Sequence, residues 1–142
     1  MTLPPQAPEW PGIEDEAIDL FCALLRIDTT TPPGNERAAA QLLADWLATR
    51  GVEPKLIESA PNRANVVARV RGTGGAPPLL LCAHLDVVSA EAERWTHPPF
   101  SATREGGMIW GRGALDMKNM AAMSAMTLAL LARDKQALSR DV

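Results

Sequence analysis

The chain is poor in the residues that would indicate a disulfide framework, a membrane span or a secreted protein. It has only two cysteines among 142 residues. Cys22 and Cys82 fit no CxxC motif, so both are interpreted as small buried hydrophobic side chains rather than as a disulfide. No apolar run approaches the ~20 residues that cross a bilayer, and the first residues lack the basic start of a signal peptide. These absences predict a cytoplasmic protein.

The chain also lacks a concentration of charge of either sign. Its formal net charge is −3, and its basic residues are scattered rather than clustered. An interface for nucleic acid or for anionic lipid needs a basic patch, so we expect neither a nucleic-acid nor a membrane partner. The hydrophobic fraction of 46% is typical of a soluble globular domain with a core of its own.

Helical and strand-like patterns alternate along the sequence. Apolar residues at helical spacing predict helices over residues 13–27, 35–50 and 117–133. Strands are predicted over residues 52–57, 65–70, 79–85 and 108–110. The third of these runs is apolar throughout, which favours a central strand covered on both faces. The pattern therefore predicts an α/β fold, a layered sheet flanked by helices.

The two ends of the chain differ from this pattern. Residues 1–12 are rich in proline, which predicts an extended lead-in. At the other end, Arg140, Asp141 and Val142 follow a loop and resemble the first residues of another strand. We interpret this end as a truncated reading frame or an artificial boundary rather than as the natural edge of a domain.

The run LLLCAHLDVV, residues 79–88, carries the most informative chemistry. An apolar strand leads into His84 and Asp86, and alternation along a strand points both side chains to the same face. A neighbouring carboxylate often accepts a hydrogen bond from a metal-binding histidine and so holds the imidazole in one tautomer. The alternative is a polar pair at a sheet edge with no metal. The end of a buried strand is where open α/β sheets form ligand crevices, which favours the metal.

A second acid follows in the run GRGALDMKN, at the junction between a loop and a helix. Asp116 is placed to supply an anionic oxygen ligand from a different element than His84. The alternative role is an N-cap of the next helix, and the two roles are compatible. Together His84, Asp86 and Asp116 predict a zinc-type hydrolytic site, or part of one.

Other candidates are interpreted as structural. His97 is expected to be an exposed loop residue, and Lys118 a first-turn helix residue that faces solvent or an acid. A methionine at every third position from Met117 to Met126 is expected to fill the core. The glycine-rich turns lack the GxxxxGK[ST] spacing, so a nucleotide-binding domain is the less favoured alternative.

In this order, these motifs resemble the M20 family of metallopeptidases and aminoacylases. The family includes glutamate carboxypeptidase-like enzymes, acylamino-acid deacylases and succinyl-diaminopimelate desuccinylase. The resemblance covers nearly the whole chain, from DTTTPPGNE through LLLCAHLDVV, RWTHPPFSA and GRGALDMKN to SRDV. Ser89 and Asn119 depart from the family, which commonly has Pro and Gly at these positions.

The resemblance implies a role for each candidate residue. His84 is then a ligand of one zinc, Asp116 the carboxylate that bridges two zinc ions, and Asp86 the catalytic-site acid that orients His84. Cobalt or manganese are alternatives, since imidazole and carboxylate accept all three metals. The implied reaction is hydrolysis of an amide or peptide bond next to a free carboxylate, in a small peptide or an N-acyl amino acid.

The resemblance also implies that much of the enzyme lies outside these residues. A Glu-Glu pair with the general base, further ligands and an inserted dimerisation domain are expected elsewhere, in a full-length parent that forms a homodimer. Residues 1–142 are thus expected to be the N-terminal portion of an incomplete zinc-peptidase-like catalytic domain, inactive in isolation. A non-catalytic binding or scaffold module with the same fold is the alternative.

Overall fold

Three α-helices, two short helical turns (Ala92–Arg94 and Ala114–Lys118) and two small antiparallel sheets form the described part of the protein, residues 12–134 and 137–142 of a computed structural model. The helices are α1 (Ile13–Leu25), α2 (Glu36–Ala48) and α3 (Asn119–Asp134). The strands are β1 (Pro54–Ala60), β2 (Arg63–Ala68), β3 (Thr103–Glu105) and β4 (Met108–Trp110). The predicted lead-in lies outside the described residues, apart from its last residue. None of the described helices is long and apolar enough to cross a membrane.

The three predicted helices are confirmed, each within a few residues of its expected bounds. Their apolar faces meet in one buried cluster, to which α1 contributes Leu20 and Leu24 and α2 contributes Leu43 and Leu47. The α3 helix turns its alanines toward this cluster. The methionine prediction was right only for Met126, which is buried, because the other described methionines of α3 lie on its exposed face.

Strands β1 and β2 form a hairpin that packs on α2. Their antiparallel register pairs Pro54 with Ala68 and Ile57 with Asn65. The hairpin turns at Asn62, whose φ of 61° lies in the left-handed region that asparagine tolerates better than most residues. The short β3–β4 hairpin confirms the predicted strand over residues 108–110.

The prediction of a central strand over residues 79–85 was wrong in its burial and pairing. This stretch forms no ladder along its length within the described residues, and Leu80 is 83% exposed. Residues 79–87, here called the inner segment, are bonded at their ends, where Leu79 N–H donates to Asp141 O (2.9 Å) and Val87 bridges Thr30 in parallel. An apolar run becomes a covered strand only when strands pair with it on both sides. Most of the inner segment has no such partner within the described residues.

The two cysteines differ in burial because one of them lies on the uncovered inner segment. Both are free in the structure. Cys22 is buried in α1 as expected, whereas Cys82 is exposed on the inner segment, and its predicted burial was wrong.

The last residues of the chain run between β2's end and the inner segment. Val70 and Val142 exchange both backbone hydrogen bonds, at 2.8 and 3.0 Å, which is the pattern of a hydrogen-bonded antiparallel pair. Because Asp141 also accepts the N–H of Leu79, this stretch makes backbone bonds on both sides. The strand-like character predicted for Arg140 to Val142 agrees with this pairing.

Candidate metal centre

The inner segment fixes the direction of His84 and Asp86 by simple alternation. Leu85 and Val87 are buried against the helices, so the residues between and before them face outward. Thr29 secures this end of the segment, since its hydroxyl donates to Leu85 O (2.6 Å) and its carbonyl accepts from Val87 N–H (3.1 Å). His84 and Asp86 therefore lie on one face, as the sequence predicts.

Asp116 comes to the same place on a loop that packs closely against the inner segment. Gly113 has a φ of 84°, and a Cβ there would lie 2.6 Å from Val87 Cγ1, so only glycine allows this approach. Gly111 is similarly close to the Leu25 side chain, at 3.2 Å for an added Cβ. These contacts favour a packing role for the two glycines over a phosphate-binding role.

Lys118 anchors the far end of this loop. Its side chain is fully buried, and its Nζ donates to Leu24 O (3.0 Å) and Ile27 O (2.7 Å) at the end of α1. Burial lowers the pKa of this ammonium to about 8, and the charge of Asp28 opposes the shift. Lys118 was expected to face solvent or an acid. Its exposure to solvent was wrong, because the carbonyls at the end of α1 attract the cation into the interior, where the charge of Asp28 also acts on it.

The three predicted side chains converge on the imidazole of His84. Its Nε2 lies 3.0 Å from Asp116 Oδ1, and its Nδ1 lies 3.0 Å from Asp86 O and 3.4 Å from Asp86 Oδ1. Partial burial acts to lower the pKa of His84, but the hydrogen bonds and charges of Asp116 and Asp86 outweigh it and raise that pKa. The imidazole is thus held between two anionic groups.

His84 Nε2 and Asp116 Oδ1 are spaced to bind one metal ion, but they supply only two of its ligands. Two ligands on a tetrahedral zinc, each ~2.0–2.1 Å from the metal, lie roughly 3.3 Å apart, close to the 3.0 Å between Nε2 and Oδ1. The Asp116 side chain is 87% exposed and that of His84 44%, so both are open to solvent. The described residues contain no group of three or more His, Cys, Asp or Glu placed to hold a metal.

His97 belongs to a different environment. Its side chain is only 18% exposed, pairs with Glu105 (Nε2–Oε2 3.1 Å) and packs against Trp110 with ring centroids 5.1 Å apart. His97 was expected to be exposed to water. This was wrong, because its side chain contacts Glu105 of β3 and Trp110 of β4.

Sequence reasoning missed the residues that support the site from beneath. Thr29 and Lys118 are fully buried polar side chains, and Glu36 is nearly buried at the start of α2. Glu36 accepts both Nη2 (2.8 Å) and Nε (3.2 Å) of Arg63, and also the hydroxyl of Thr31 (3.1 Å). The one available signal was the break DTTTPPGNE, whose polar residues have no helical or strand period.

Comparison with known proteins finds similarity to one family of peptidases and deacylases. Residues 80–142 match the family model described as Peptidase family M20/M25/M40. The chain is 40% identical over 122 residues to the succinyl-diaminopimelate desuccinylase of Pseudoalteromonas atlantica, a match over 83% of this chain and 31% of that enzyme. It is 43% identical over 119 residues to the corresponding enzyme of Methylorubrum extorquens, over 80% of this chain and 30% of that one.

A solved structure shares the fold. The M20 family metallo-carboxypeptidase from Sulfolobus solfataricus superimposes with a TM-score of 0.73 at 26% identity, covering 90% of this chain and 29% of that one. The chain therefore spans less than a third of the length of the relatives it matches.

Proposed function

Because this chain belongs to the M20 family of metallopeptidases, we propose that it forms part of the catalytic domain of a zinc-dependent hydrolase. The observation that carries the proposal is His84, held between Asp86 and Asp116 at distances near 3.0 Å. Two acids from two different elements meet one imidazole, and this is the arrangement that a metal site needs from its first ligands.

Each residue has a distinct task in this proposal. The backbone carbonyl of Asp86 accepts a hydrogen bond from Nδ1–H of His84, and the Asp86 carboxylate lies slightly farther from the same nitrogen, which leaves Nε2 free as the ligand atom. Asp116 supplies the anionic oxygen beside it. A divalent metal, when bound, polarises the scissile carbonyl and lowers the pKa of a bound water. Zinc is the first choice, with cobalt and manganese accepted by the same ligands.

The substrate follows from the named relatives, which remove a succinyl group or a carboxy-terminal residue. Both descriptions fit hydrolysis of an amide next to a free carboxylate, so we propose a small peptide or an N-acyl amino acid. A homodimeric parent and a cytoplasmic location remain predictions of the sequence.

We also propose that the 142-residue chain does not catalyse this reaction by itself. His84 and Asp116 supply two ligands, Asp86 is occupied in orienting His84, and the described residues contain no group of three or more His, Cys, Asp or Glu that could hold a metal ion. A catalytic zinc site needs about three protein ligands and an open position for water. Purified chain with added zinc, cobalt or manganese should therefore show no metal-dependent release of product from succinylated or acylated amino acids, and detectable turnover would contradict the proposal.

Metal binding itself provides the decisive measurement. In equilibrium dialysis, the chain should bind zinc, and His84→Ala should weaken binding by at least roughly tenfold, the size of effect seen when metal-site residues are removed. Asp116→Asn should weaken it similarly. His97→Ala is the matched control, because the other histidine lies with Glu105 and Trp110 and should leave binding unchanged.

The same experiment separates the alternatives. Equal zinc binding by the His84→Ala and His97→Ala variants would refute the site. No zinc binding by any form, with circular dichroism showing a folded chain, would favour a non-catalytic module with the same fold.

A further inference from the structure

The end of α1 contacts both of the segments that carry the candidate metal ligands. We call residues 24–29 the anchor segment. Thr29, its last residue, bonds to the inner segment next to His84, and Lys118, two residues after Asp116, bonds to the carbonyls of the anchor segment. Thr29 and Lys118 are both fully buried, and neither is a candidate ligand. Two ligands that lie 32 positions apart in the sequence are thus attached to the same short segment.

On the histidine side, three hydrogen bonds fix the inner segment. The hydroxyl of Thr29 donates to Leu85 O (2.6 Å), and the N–H of Val87 donates to Thr29 O (3.1 Å). The N–H of Thr31 donates in turn to Val87 O (2.9 Å). Because Leu85 directly follows His84, the hydroxyl of Thr29 holds the backbone next to the residue that carries the imidazole.

On the aspartate side, Lys118 holds the loop at both of its ends. Its Nζ donates to Leu24 O (3.0 Å) and Ile27 O (2.7 Å) of the anchor segment, and its backbone N–H donates to Gly113 O (2.9 Å) at the start of the loop. The side chain of Asp116, between these two points, is 87% exposed. Burial does not hold this carboxylate in place, so its position depends on the bonds of the loop.

The two ligand-bearing segments also meet each other at Gly113. A Cβ added there would lie 2.6 Å from Val87 Cγ1 and 3.4 Å from Lys118 Cδ, so this glycine fits closely against both side chains. The anchor segment, the inner segment and the loop therefore contact one another in all three pairs. In this arrangement, His84 Nε2 and Asp116 Oδ1 lie 3.0 Å apart, close to the spacing of two ligands on one metal ion.

We propose that Thr29 and Lys118 are positioning residues, which act through the anchor segment to set the spacing between His84 and Asp116 to that of two ligands of one divalent metal. This role rests on the proposed function, because it concerns the same pair of ligands. Preorganised ligands bind a metal more tightly, since less free energy is lost in ordering them. Residues that orient metal ligands typically contribute roughly 10–100-fold to metal affinity.

Thr29 offers two variants that differ in the hydrogen bond of interest. Thr29→Val keeps the shape of the side chain and removes the donor to Leu85 O, whereas Thr29→Ser keeps the donor. In equilibrium dialysis, Thr29→Val should weaken zinc binding roughly tenfold, and Thr29→Ser should retain the affinity of the original chain. Equal affinities for the two variants would overturn the role of Thr29.

Lys118 gives a prediction whose sign separates positioning from charge. Removing a positive charge close to a bound cation by itself strengthens cation binding, because a repulsion is lost. If Lys118 positions Asp116, then Lys118→Met should instead weaken zinc binding roughly tenfold. In the Asp116→Asn background the same substitution should cause no further loss, since it acts through the missing carboxylate. A gain of affinity in Lys118→Met would overturn the role of Lys118.

Ile13→Ala controls for a general loss of stability. Ile13 is buried at the start of α1, at the opposite end of that helix from the anchor segment, and its truncation leaves a cavity in the core. This variant should keep the zinc affinity of the original chain. If it loses as much affinity as Thr29→Val, stability alone governs metal binding and the positioning role is refuted. If circular dichroism shows that Lys118→Met does not fold, the two Thr29 variants decide.

A second readout needs no metal. Dibromobimane becomes fluorescent when it joins two neighbouring thiols, so it reports how close the two ligand positions are in a chain that carries His84→Cys and Asp116→Cys. The same chain carries Cys82→Ser, because Cys82 is exposed, whereas Cys22 is buried and stays. Adding Thr29→Val should lower the cross-linked fraction severalfold, and adding Thr29→Ser should not. An unchanged fraction in both would overturn the proposal.

The two readouts separate this proposal from the proposed function. If His84→Ala weakens zinc binding but Thr29→Val and Lys118→Met do not, the positioning role fails and the metal site stands. If the original chain binds no zinc but cross-linking falls with Thr29→Val, the metal site fails and the positioning role stands.

Discussion

Single buried polar side chains, rather than the exposed candidate ligands, hold the site in place. Thr29, Glu36 and Lys118 each join two elements that are distant in sequence, by hydrogen bonds to a backbone carbonyl or an ion pair. No local sequence pattern predicts that these three side chains are buried, because their hydrogen-bond partners become neighbours only after folding. The outward-facing His84 and Asp86 were predictable, since strand alternation is a local property.

Lys118 is expected to contribute strongly to stability. In Lys118→Ala, the carbonyls of Leu24 and Ile27 lose a charged donor, and a cavity opens beneath the loop that carries Asp116. Unsatisfied buried carbonyls cost about 1–3 kcal/mol. The free energy of unfolding, measured in urea, should therefore fall by about 2–4 kcal/mol.

The control for this variant is Lys55→Ala. Lys55 is exposed on β1, and substitutions at such positions usually change stability by less than about 0.5 kcal/mol. A loss for Lys118→Ala no larger than that for Lys55→Ala would show that the buried ammonium is dispensable.

Glu36 gives a prediction about pH. Desolvation acts to raise its pKa, but the start of α2, Arg63 and Thr31 together outweigh it and hold that pKa below the ordinary value of 4.5. The folded state therefore binds the Glu36 proton less readily than the unfolded state does. The stabilisation is complete above pH 4.5 and is lost as pH falls through the lower, folded-state pKa.

A comparison of variants isolates this contribution from the other carboxylates. The difference in unfolding free energy between the original chain and Glu36→Gln should be largest at neutral pH and should shrink on acidification below about pH 4.5. Glu93→Gln, at an exposed position in the short 3-10 helix Ala92–Arg94, should show no such dependence. A difference for Glu36→Gln that does not change with pH would contradict the proposed role of its charge.

At the scale of elements, helices were predicted well and sheet pairing was not. The periods of α1, α2 and α3 lie within each helix, so the sequence contains the whole signal. The inner segment shows the limit of this reasoning. Its apolar run predicts a covered strand, but coverage depends on neighbours that only the assembled sheet supplies. The observed segment is paired at its ends and open between them.

The same limit applies to the site. Asp116 was placed correctly near His84 because each lies at the end of a recognisable element. The closeness of their approach comes from Gly113, whose missing side chain lets the loop contact Val87. Sequence reasoning noted the glycines for their turns, and only the fold reveals which side chain they accommodate.

For the whole molecule, the main consequence of an open sheet is exposed apolar surface. Ile57, Val67 and Leu80 line the apolar groove between β2 and residues 80–86 and are each more than half exposed. Exposed apolar surface of this kind is where a hydrophobic ligand or another protein surface binds. The three-helix core remains packed beneath it, so the chain should be folded and yet bind hydrophobic dyes.

This expectation is measured by the fluorescence of anilinonaphthalene sulfonate at a protein concentration where sedimentation shows monomer. The dye should fluoresce strongly with the original chain, as it does with other proteins that expose hydrophobic surface. Val67→Lys combined with Leu80→Lys should reduce this emission severalfold. Met108→Lys is the matched control, because Met108 is also exposed but lies on β4 and does not line the groove. Equal emission from both variants would mean that the dye binds elsewhere and that the groove face is not the exposed apolar surface of this molecule.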